Sequence, residues 1–188
     1  MALVGIGAVG LLVLLSGAAV YFVIVYNGLV RLRNNNDKAW SNIDVVLKQR
    51  FDELPRLVEV CKGYIAHERQ TLESVTRARS RVEGARGDRE MFGAQSELSG
   101  ALRGLFALAE NYPDLKANDM FQRLQTRITQ LEDIISDRRE FFNESVTIYN
   151  TSIEQFPDVF VARLGGFAAR TLWEIDPAER ARPGAGIA

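Results

Sequence analysis

The sequence predicts an all-α protein in which an N-terminal transmembrane helix is followed by an antiparallel four-helix up-and-down bundle. Three observations lead to this prediction. The first thirty residues carry no charged side chain, apolar residues after Gly28 recur at spacings of three and four, and no useful stretch alternates between apolar and polar residues. Helices are therefore expected throughout, and antiparallel packing buries their apolar faces most simply.

The chain of 188 residues has room for one domain and an anchor. We expect four segments. Residues 1–27 form the transmembrane anchor, 28–156 the helical bundle, 157–176 an amphipathic membrane-proximal tail and 177–188 a flexible C-terminus. The single cysteine, Cys61, excludes an internal disulfide framework and is expected to be a small core residue.

The anchor is expected to cross a bilayer. Residues 2–26 are apolar or small, and a helix of that length rises about 37 Å, against a hydrocarbon core of about 30 Å. A cleaved signal peptide is the alternative, but it would need an early charged region and a shorter apolar stretch. Aromatic and basic residues follow the apolar run and are expected at the membrane interface: Tyr21, Phe22, Tyr26, Arg31 and Arg33.

Positive charge is concentrated after the anchor, whereas the N-terminal tail carries only its α-amino group. The positive-inside bias therefore predicts a single-pass protein with its N-terminus outside and its C-terminal domain in the cytoplasm.

The bundle begins with a helix that continues from the anchor, and Pro55 predicts a kink or a boundary within it. A second helix is expected over about 67–83, with Gly84 just after its end. A third is expected from Arg89 to about Asn111, with Asp88 as its N-cap. Three long helices, with the pieces flanking residues 84–88 forming one interrupted rod, are the alternative. The first helix's apolar stripe comprises Trp40, Ile43, Leu47, Phe51, Leu54, Val58, Cys61 and Ile65.

The last helix, expected over about 120–156 with a cap at Asp119 and Gln122, has the strongest periodicity. Six apolar residues follow one another at heptad spacing, which is typical of a coiled-coil seam. The second heptad position is apolar at Leu124 and Leu131 and polar later, so Val146 and Ile153 are expected to take over. The six are Phe121, Ile128, Ile135, Phe142, Tyr149 and Phe156.

Three stretches, "YNGLVRLRNNNDKAWSNID", "LSGALRGLFALAENYPDLKAND" and "FFNESVTIYNTSIEQFP", resemble the LemA family of bacterial membrane proteins. The resemblance covers nearly the whole chain. It implies a single N-terminal span, a mostly helical domain of four-helix up-and-down type, a short extracytoplasmic N-terminus and no established biochemical activity. The localisation that follows is the bacterial inner membrane.

The predicted fold returns the last helix toward the membrane. We therefore hypothesise a membrane-proximal polar cluster of Asn27 and Asn150, bonded across helices or to nearby backbone. The tail after it is rich in apolar residues, and Phe160, Phe167 and Trp173 are expected at the membrane interface. A contact with a neighbouring subunit, or a lid that closes the bundle, is the alternative for this tail.

No pattern indicates catalysis, so we predict that the protein is not an enzyme and binds no cofactor. His67 is the only histidine, and the acidic residues of the last helix lack the Glu-x-x-His motif of di-iron bundles. One basic patch could dock anionic lipid or an acidic partner, although a solvated helix end is the alternative. It comprises Arg77, Arg79, Arg81, Arg86 and Arg89.

These predictions favour a membrane-anchored scaffold that self-assembles or organises membrane complexes. Its expected partners are the lipid bilayer, further copies of the chain and another membrane protein. Nucleic acid is not expected, because 23 basic residues are balanced by 24 acidic ones. A monomeric adaptor of a membrane enzyme and a membrane-shaping protein are the alternatives. Exposed apolar residues on the second and third helices would favour assembly, and a polar groove would favour the adaptor.

Overall fold

The computed structural model describes residues 2–174 and contains only helices in that part of the chain. In chain order they are α1 (Ala2–Lys62), α2 (Arg69–Gly84), α3 (Asp88–Ala109), α4 (Pro113–Lys116), α5 (Asp119–Glu154) and α6 (Asp158–Leu164). The all-helical prediction is confirmed for these residues. The flexible C-terminus predicted at 177–188, and the last two residues of the predicted tail, lie outside them.

The N-terminal part of α1 is long and apolar enough to cross a membrane, and none of its most apolar window is buried in the protein. This fits a single-pass membrane protein. The helix continues through Pro55 without ending there and stops at Lys62. The backbone N–H groups of Gly63, Tyr64 and Ile65 then bond back to the last turn, so Ile65 stays buried although it lies beyond the helix.

Three predicted helix caps are wrong by one residue. Gly84, expected just after the second helix, is the last residue of α2, and Ala85 is the cap. Gly87 precedes α3 with a φ of 81°, a conformation that glycine adopts at little cost, so Asp88 is the first residue of the helix. Before α5, the Oδ1 atom of Asn118 accepts a hydrogen bond of 3.0 Å from the backbone N–H of Phe121. Asn118 is therefore the cap and Asp119 lies inside the helix.

The chain folds into two compact units. Among the described residues, the first combines Ala2–Trp40 with Phe141–Arg170, and the second combines Ser41–Glu140 with Thr171–Glu174. Helices α1 and α5 contribute residues to both.

The second unit has a mainly aliphatic core. Arg81 on α2 forms an ion pair of 2.5 Å with Glu97 on α3, across the three-residue connection of these helices. Arg138 of α5 donates to the carbonyl of Asn42 on α1. The up-and-down order of all four helices stays a prediction. The core is formed by Leu54, Leu57, Cys61, Ile65, Leu72, Val75, Ala78, Leu98, Leu102, Leu105, Ala109, Leu115, Phe121, Leu124 and Ile128.

The first unit has a smaller core that a C-terminal segment completes. Val161 and Ala162 of α6 and Phe167 beyond it pack against Leu29 of α1 and Tyr149 of α5. We call residues 165–170 the strap. It begins after α6 and places protein, rather than solvent, over this part of α1 and α5.

Hydrogen bonds and an ion pair hold the strap. The Tyr149 hydroxyl donates to the carbonyl of Ala168 at 3.0 Å. The Asn150 side chain donates to the carbonyl of Arg170 and accepts from its N–H, both at 2.9 Å. The Arg170 side chain forms an ion pair of 2.6 Å with Asp37. Side chains of α5 thus bond to backbone groups of Ala168 and Arg170, whereas the N–H groups of residues 165–167 bond back to the backbone of α6.

The heptad seam on α5 is buried from Phe121 to Tyr149, and Val146 and Ile153 take over the second position as predicted. Its sixth member, Phe156, was expected in the seam and is instead 80% exposed. The reason is that α5 ends at Glu154, shortly before Pro157, which cannot continue the backbone hydrogen bonding of a helix.

Candidate functional site

A buried arginine lies at the centre of the second unit. Arg50 of α1 has only 1% of its side chain exposed and pairs with Glu132 of α5. It also donates to Ser99 at 2.7 Å and to the side-chain oxygen of Gln95, both on α3. The Ser99 hydroxyl in turn donates to Glu132 at 2.9 Å. We call these four residues the Arg50 network.

Helix geometry explains how three elements supply this network. Gln95 and Ser99 are four residues apart, so both side chains lie on one face of α3. A buried charge is tolerated only when it is paired and hydrogen-bonded, and here a carboxylate, a hydroxyl and an amide oxygen all face the guanidinium. Such a pair can cost as much in desolvation as it gains in attraction, so we interpret it as a device that fixes how α1, α3 and α5 fit together.

A groove of about 510 Å³ lies beside the network. Glu132 is 28% exposed and forms part of the wall. Arg139 stands over the ring of Trp173 at 5.8 Å, and that ring stacks on Phe92 at 5.0 Å. The groove therefore combines both signs of charge with an aromatic wall. Its lining comprises Gln95, Ser96, Ser99, Leu102, Arg103, Phe106, Thr129, Glu132, Asp133, Ile135, Ser136, Arg139 and Trp173.

The outer surface of α5 carries large apolar side chains. Ile134 is 37% exposed, Phe141 62% and Ile148 49%. The three are seven residues apart, so they lie in one row along the helix, beside the buried seam. We call them the outer row. Among the described residues of α2 and α3, no large apolar side chain is exposed, so the condition that would favour assembly through these two helices is not met. The outer row lies on α5 instead.

The predicted membrane-interface residues fall into two groups. Tyr21, Phe22, Tyr26, Arg31, Arg33 and Phe160 are exposed. Phe167 and Trp173 are buried instead. The Phe167 ring meets Tyr26 edge-on at 5.5 Å and lies under the Arg33 guanidinium, and Trp173 packs as described above. Protein contacts thus cover these two rings, while an interfacial position for the exposed group stays a prediction.

The two asparagines of the predicted polar cluster have separate partners. Asn150 bonds to the backbone of Arg170 in the strap. The carbonyl of Asn27 accepts from Arg31 on the same helix. Of the two hypothesised kinds of bonding, across helices or to nearby backbone, Asn150 makes the second, and the backbone belongs to Arg170 in the strap.

The predicted basic patch is distributed along α2, the loop after it and the start of α3. Arg77, Arg81, Arg86 and Arg89 are exposed. Arg79 is half-buried, forms an ion pair of 3.4 Å with Glu83 and stands 4.5 Å above the Phe51 ring. Together with the Arg81–Glu97 pair, these contacts favour a role in packing for part of the patch.

The cysteine thiol and clusters of metal-ligating side chains are two further kinds of reactive group. Burial raises the pKa of the Cys61 thiol to about 11, so it stays neutral and unreactive at neutral pH. No group of three or more His, Cys, Asp or Glu side chains that could hold a metal ion occurs in the part of the chain that the structure describes.

The Arg50 network is not among the predicted sites, although the sequence carries a signal for it. Arg50 lies three residues after Leu47 and four before Leu54, which puts it on the apolar stripe of α1. Its partner Glu132 is one of several acidic residues along the last helix, and its spacing does not distinguish it from the others. A charged residue at a core spacing predicts a buried partner, but sequence alone does not identify which acidic residue supplies it.

Comparison with known proteins identifies relatives. Residues 39–185 match the LemA family. The protein LemA of Metamycoplasma hominis is 32% identical over 142 residues, which cover 72% of this chain and 64% of the relative. The magnetosome protein MamQ of Magnetospirillum gryphiswaldense is 24% identical over 168 residues, 76% of this chain and 62% of the relative. Magnetosome protein MamQ 2 of Paramagnetospirillum magneticum is 24% identical over 179 residues, 81% of this chain and 66% of the relative. The chain thus spans less than two thirds of the length of each.

Proposed function

The chain belongs to the LemA family, and from that premise we propose that it is a membrane-anchored, non-enzymatic helical scaffold whose copies assemble side by side. The anchor is the apolar part of α1, in the bacterial inner membrane, with the N-terminus outside and the helical domain in the cytoplasm. The basic residues that follow the apolar run support this orientation.

The relatives support a membrane-associated helical protein. Two of them are named as magnetosome proteins and one as LemA, and none of these names denotes an enzyme. Since the match leaves part of each relative uncovered, a scaffolding activity for this chain is argued from its own surface.

The outer row is the observation that carries the proposal. Removing apolar surface from water favours association, and the side chains of the outer row still expose between 37% and 62% of their surface. Residues at heptad spacing form a continuous stripe that a second helix can follow, and the stripe here comprises Ile134, Phe141 and Ile148. The occupant that fits such a stripe is the same stripe on another copy.

The membrane restricts how two copies can meet. Both are anchored at the same end and point the same way, so their α5 helices run parallel and equivalent residues face each other across a rotation axis along the membrane normal. A heptad row satisfies this arrangement, because it presents the same residues at the same height on each copy.

The experiment compares protein mass in native-lipid particles for the wild type and the double variant Phe141→Ser/Ile148→Ser, by light scattering after size exclusion. We expect the wild type at a multiple of the chain mass and the variant at a smaller one. Glu140→Ser/Thr147→Ser is the matched control, since both residues are exposed on another side of α5. A wild type that is already monomeric would exclude assembly as the main activity.

The groove beside the Arg50 network favours a second candidate function, an adaptor for a membrane enzyme or transporter. Its two signs of charge and its aromatic wall, with Arg103, Asp133 and Trp173, suit a polar segment of another protein. Crosslinking from a photoreactive residue placed at Ser96 would test this function. A single membrane protein captured there, and absent when Ala85 carries the probe, would support the adaptor.

A further inference from the structure

The outward face of α6 and of the turn before it is strongly apolar. Phe156 and Leu164 are each 80% exposed and Phe160 is 57% exposed. The rings of Phe156 and Phe160 meet edge-on at 5.9 Å. Phe160 and Leu164 are four residues apart in α6 and so lie on one side of it, and the ring contact puts Phe156 beside Phe160. We call these three residues the α6 face.

The opposite side of α6 is also apolar. Val161 is buried and Ala162 beside it is buried, in the core that includes Leu29 and Tyr149. A helix that is hydrophobic on both sides is expected where both sides are removed from water. The protein covers the inner side, and the described part of the first unit leaves the α6 face uncovered.

Contacts with α1 fix the position of α6 along the anchor. The Tyr21 hydroxyl donates to Asp158, the first residue of α6, at 2.5 Å. Gly165, just after α6, lies so close to Tyr26 that an added Cβ atom would be 3.1 Å from its ring. The helix therefore lies beside the stretch of α1 from Tyr21 to Tyr26, and Phe167 after it reaches Arg33.

This stretch is the last part of the uncharged run, which ends at Arg31. In a membrane-spanning helix it falls at the boundary between acyl chains and headgroups, where aromatic side chains are favoured. The α6 face is held at the same depth, because Asp158 and Gly165 are tied to it. Arg163 and Arg31 are both exposed and are suited to the phosphates of that layer.

We propose that α6 is a second membrane contact of this protein, in which Phe156, Phe160 and Leu164 insert into the headgroup–acyl boundary of the bilayer that α1 spans. The inference rests on the membrane anchor of the proposed function and adds to it a segment that wedges the cytoplasmic leaflet. The Tyr21–Asp158 hydrogen bond sets its depth.

The test uses the full-length chain, reconstituted in vesicles of phosphatidylcholine and phosphatidylglycerol, with a nitroxide attached at Phe160→Cys. Collisions with oxygen report lipid exposure and collisions with a water-soluble nickel chelate report aqueous exposure. Thr147→Cys is the matched control, an exposed residue in the same unit that lies outside the outer row. Phe156→Cys and Leu164→Cys repeat the measurement at two further exposed positions, and the wild type gives the background of the buried Cys61.

We expect the oxygen-to-nickel collision ratio at residue 160 to exceed the ratio at residue 147 by at least about threefold, because interfacial side chains lie below the water phase. Equal ratios at the two positions would overturn the inference. A second result would also overturn the inference: neither reagent reaches the label at residue 160, and a second label broadens its spectrum. A second copy of the chain would then cover the α6 face.

A separate readout distinguishes failure of the anchor from failure of this inference. The wild type should remain with the vesicles after flotation through alkaline carbonate. Loss of the protein in that step would overturn both the anchor and the second contact. Retention with equal collision ratios would overturn the second contact alone.

Discussion

The two units are stabilised in different ways. The second unit surrounds a charged network with an aliphatic core drawn from Leu54 of α1 to Ile128 of α5. The first unit has a small core that is completed by α6 and the strap, and the strap is held by hydrogen bonds from Tyr149 and Asn150. We infer that the stability of the second unit depends strongly on the Arg50–Glu132 pair. The stability of the first unit depends on α6 and the strap, which reach α1 and α5 only when the chain has folded.

Removal of Glu132 is expected to have the largest effect. Glu132→Ala leaves the Arg50 guanidinium buried without its carboxylate, which costs about 3–5 kcal/mol in the free energy of unfolding. Urea titration of the full chain in detergent, followed by circular dichroism, measures it. The double variant Arg50→Met/Glu132→Leu should recover most of the loss. If the double variant is as unstable as Glu132→Ala, then the unpaired Arg50 charge does not cause the loss of stability in Glu132→Ala.

The reactivity of Cys61 tests how well the core of the second unit excludes water and reagents. Its pKa rises from 9.0 to about 11, so at a given pH below 9 the native thiolate fraction is about 100-fold lower than in the unfolded chain. Alkylation by iodoacetamide should be slower by at least that factor in native protein than in urea. Because a buried neutral thiol is favoured, its contribution to stability is complete below pH 9 and disappears as pH rises through about 11. Equal alkylation rates would show that this core opens readily.

Asn150→Ala is expected to weaken the first unit selectively. The substitution removes two hydrogen bonds to Arg170 and leaves backbone groups of the strap without their partner, at about 1–3 kcal/mol. Hydrogen exchange should accelerate in residues 167–171 and stay unchanged in α3. Thr147→Ala, whose hydroxyl bonds only within its own helix, is the control. Uniform acceleration over the whole chain would contradict the separate stabilisation of the strap.

The same glycine-to-alanine change should have opposite signs in the two units, with the smallest effects of this series. At Gly104 of α3 an added Cβ meets nothing within 4 Å, so alanine should stabilise the helix by about 0.5–1 kcal/mol. At Gly165 the Cβ would approach the Phe167 ring to 2.6 Å, so alanine should destabilise by about 1 kcal/mol. Thermal unfolding of both variants provides the comparison, and equal signs would contradict it.

Much of the helical structure could be predicted because it follows from local spacing. The buried seam from Phe121 to Tyr149 and its change to Val146 are visible as a period of seven. The predicted burial of Phe156 in the seam was wrong, because α5 ends before Pro157 and the heptad period does not show where a helix ends. The Arg50 network and the strap depend on residues that are far apart in the chain, and periodicity carries no information about which distant residues meet. Burial of Phe167 and Trp173 has the same cause, since their partners lie on α1 and α3.

Disulfide formation between copies in intact membranes tests the central claim most directly. In a chain with Ile148→Cys, parallel α5 helices that pair through the outer row would bring equivalent cysteines together, and mild oxidation should give a covalent dimer. Glu140→Cys, on another side of the helix, should give little. We expect a strong dimer for Ile148→Cys that disappears when Phe141→Ser is added. Equal dimer yields at the two positions would contradict assembly through this surface.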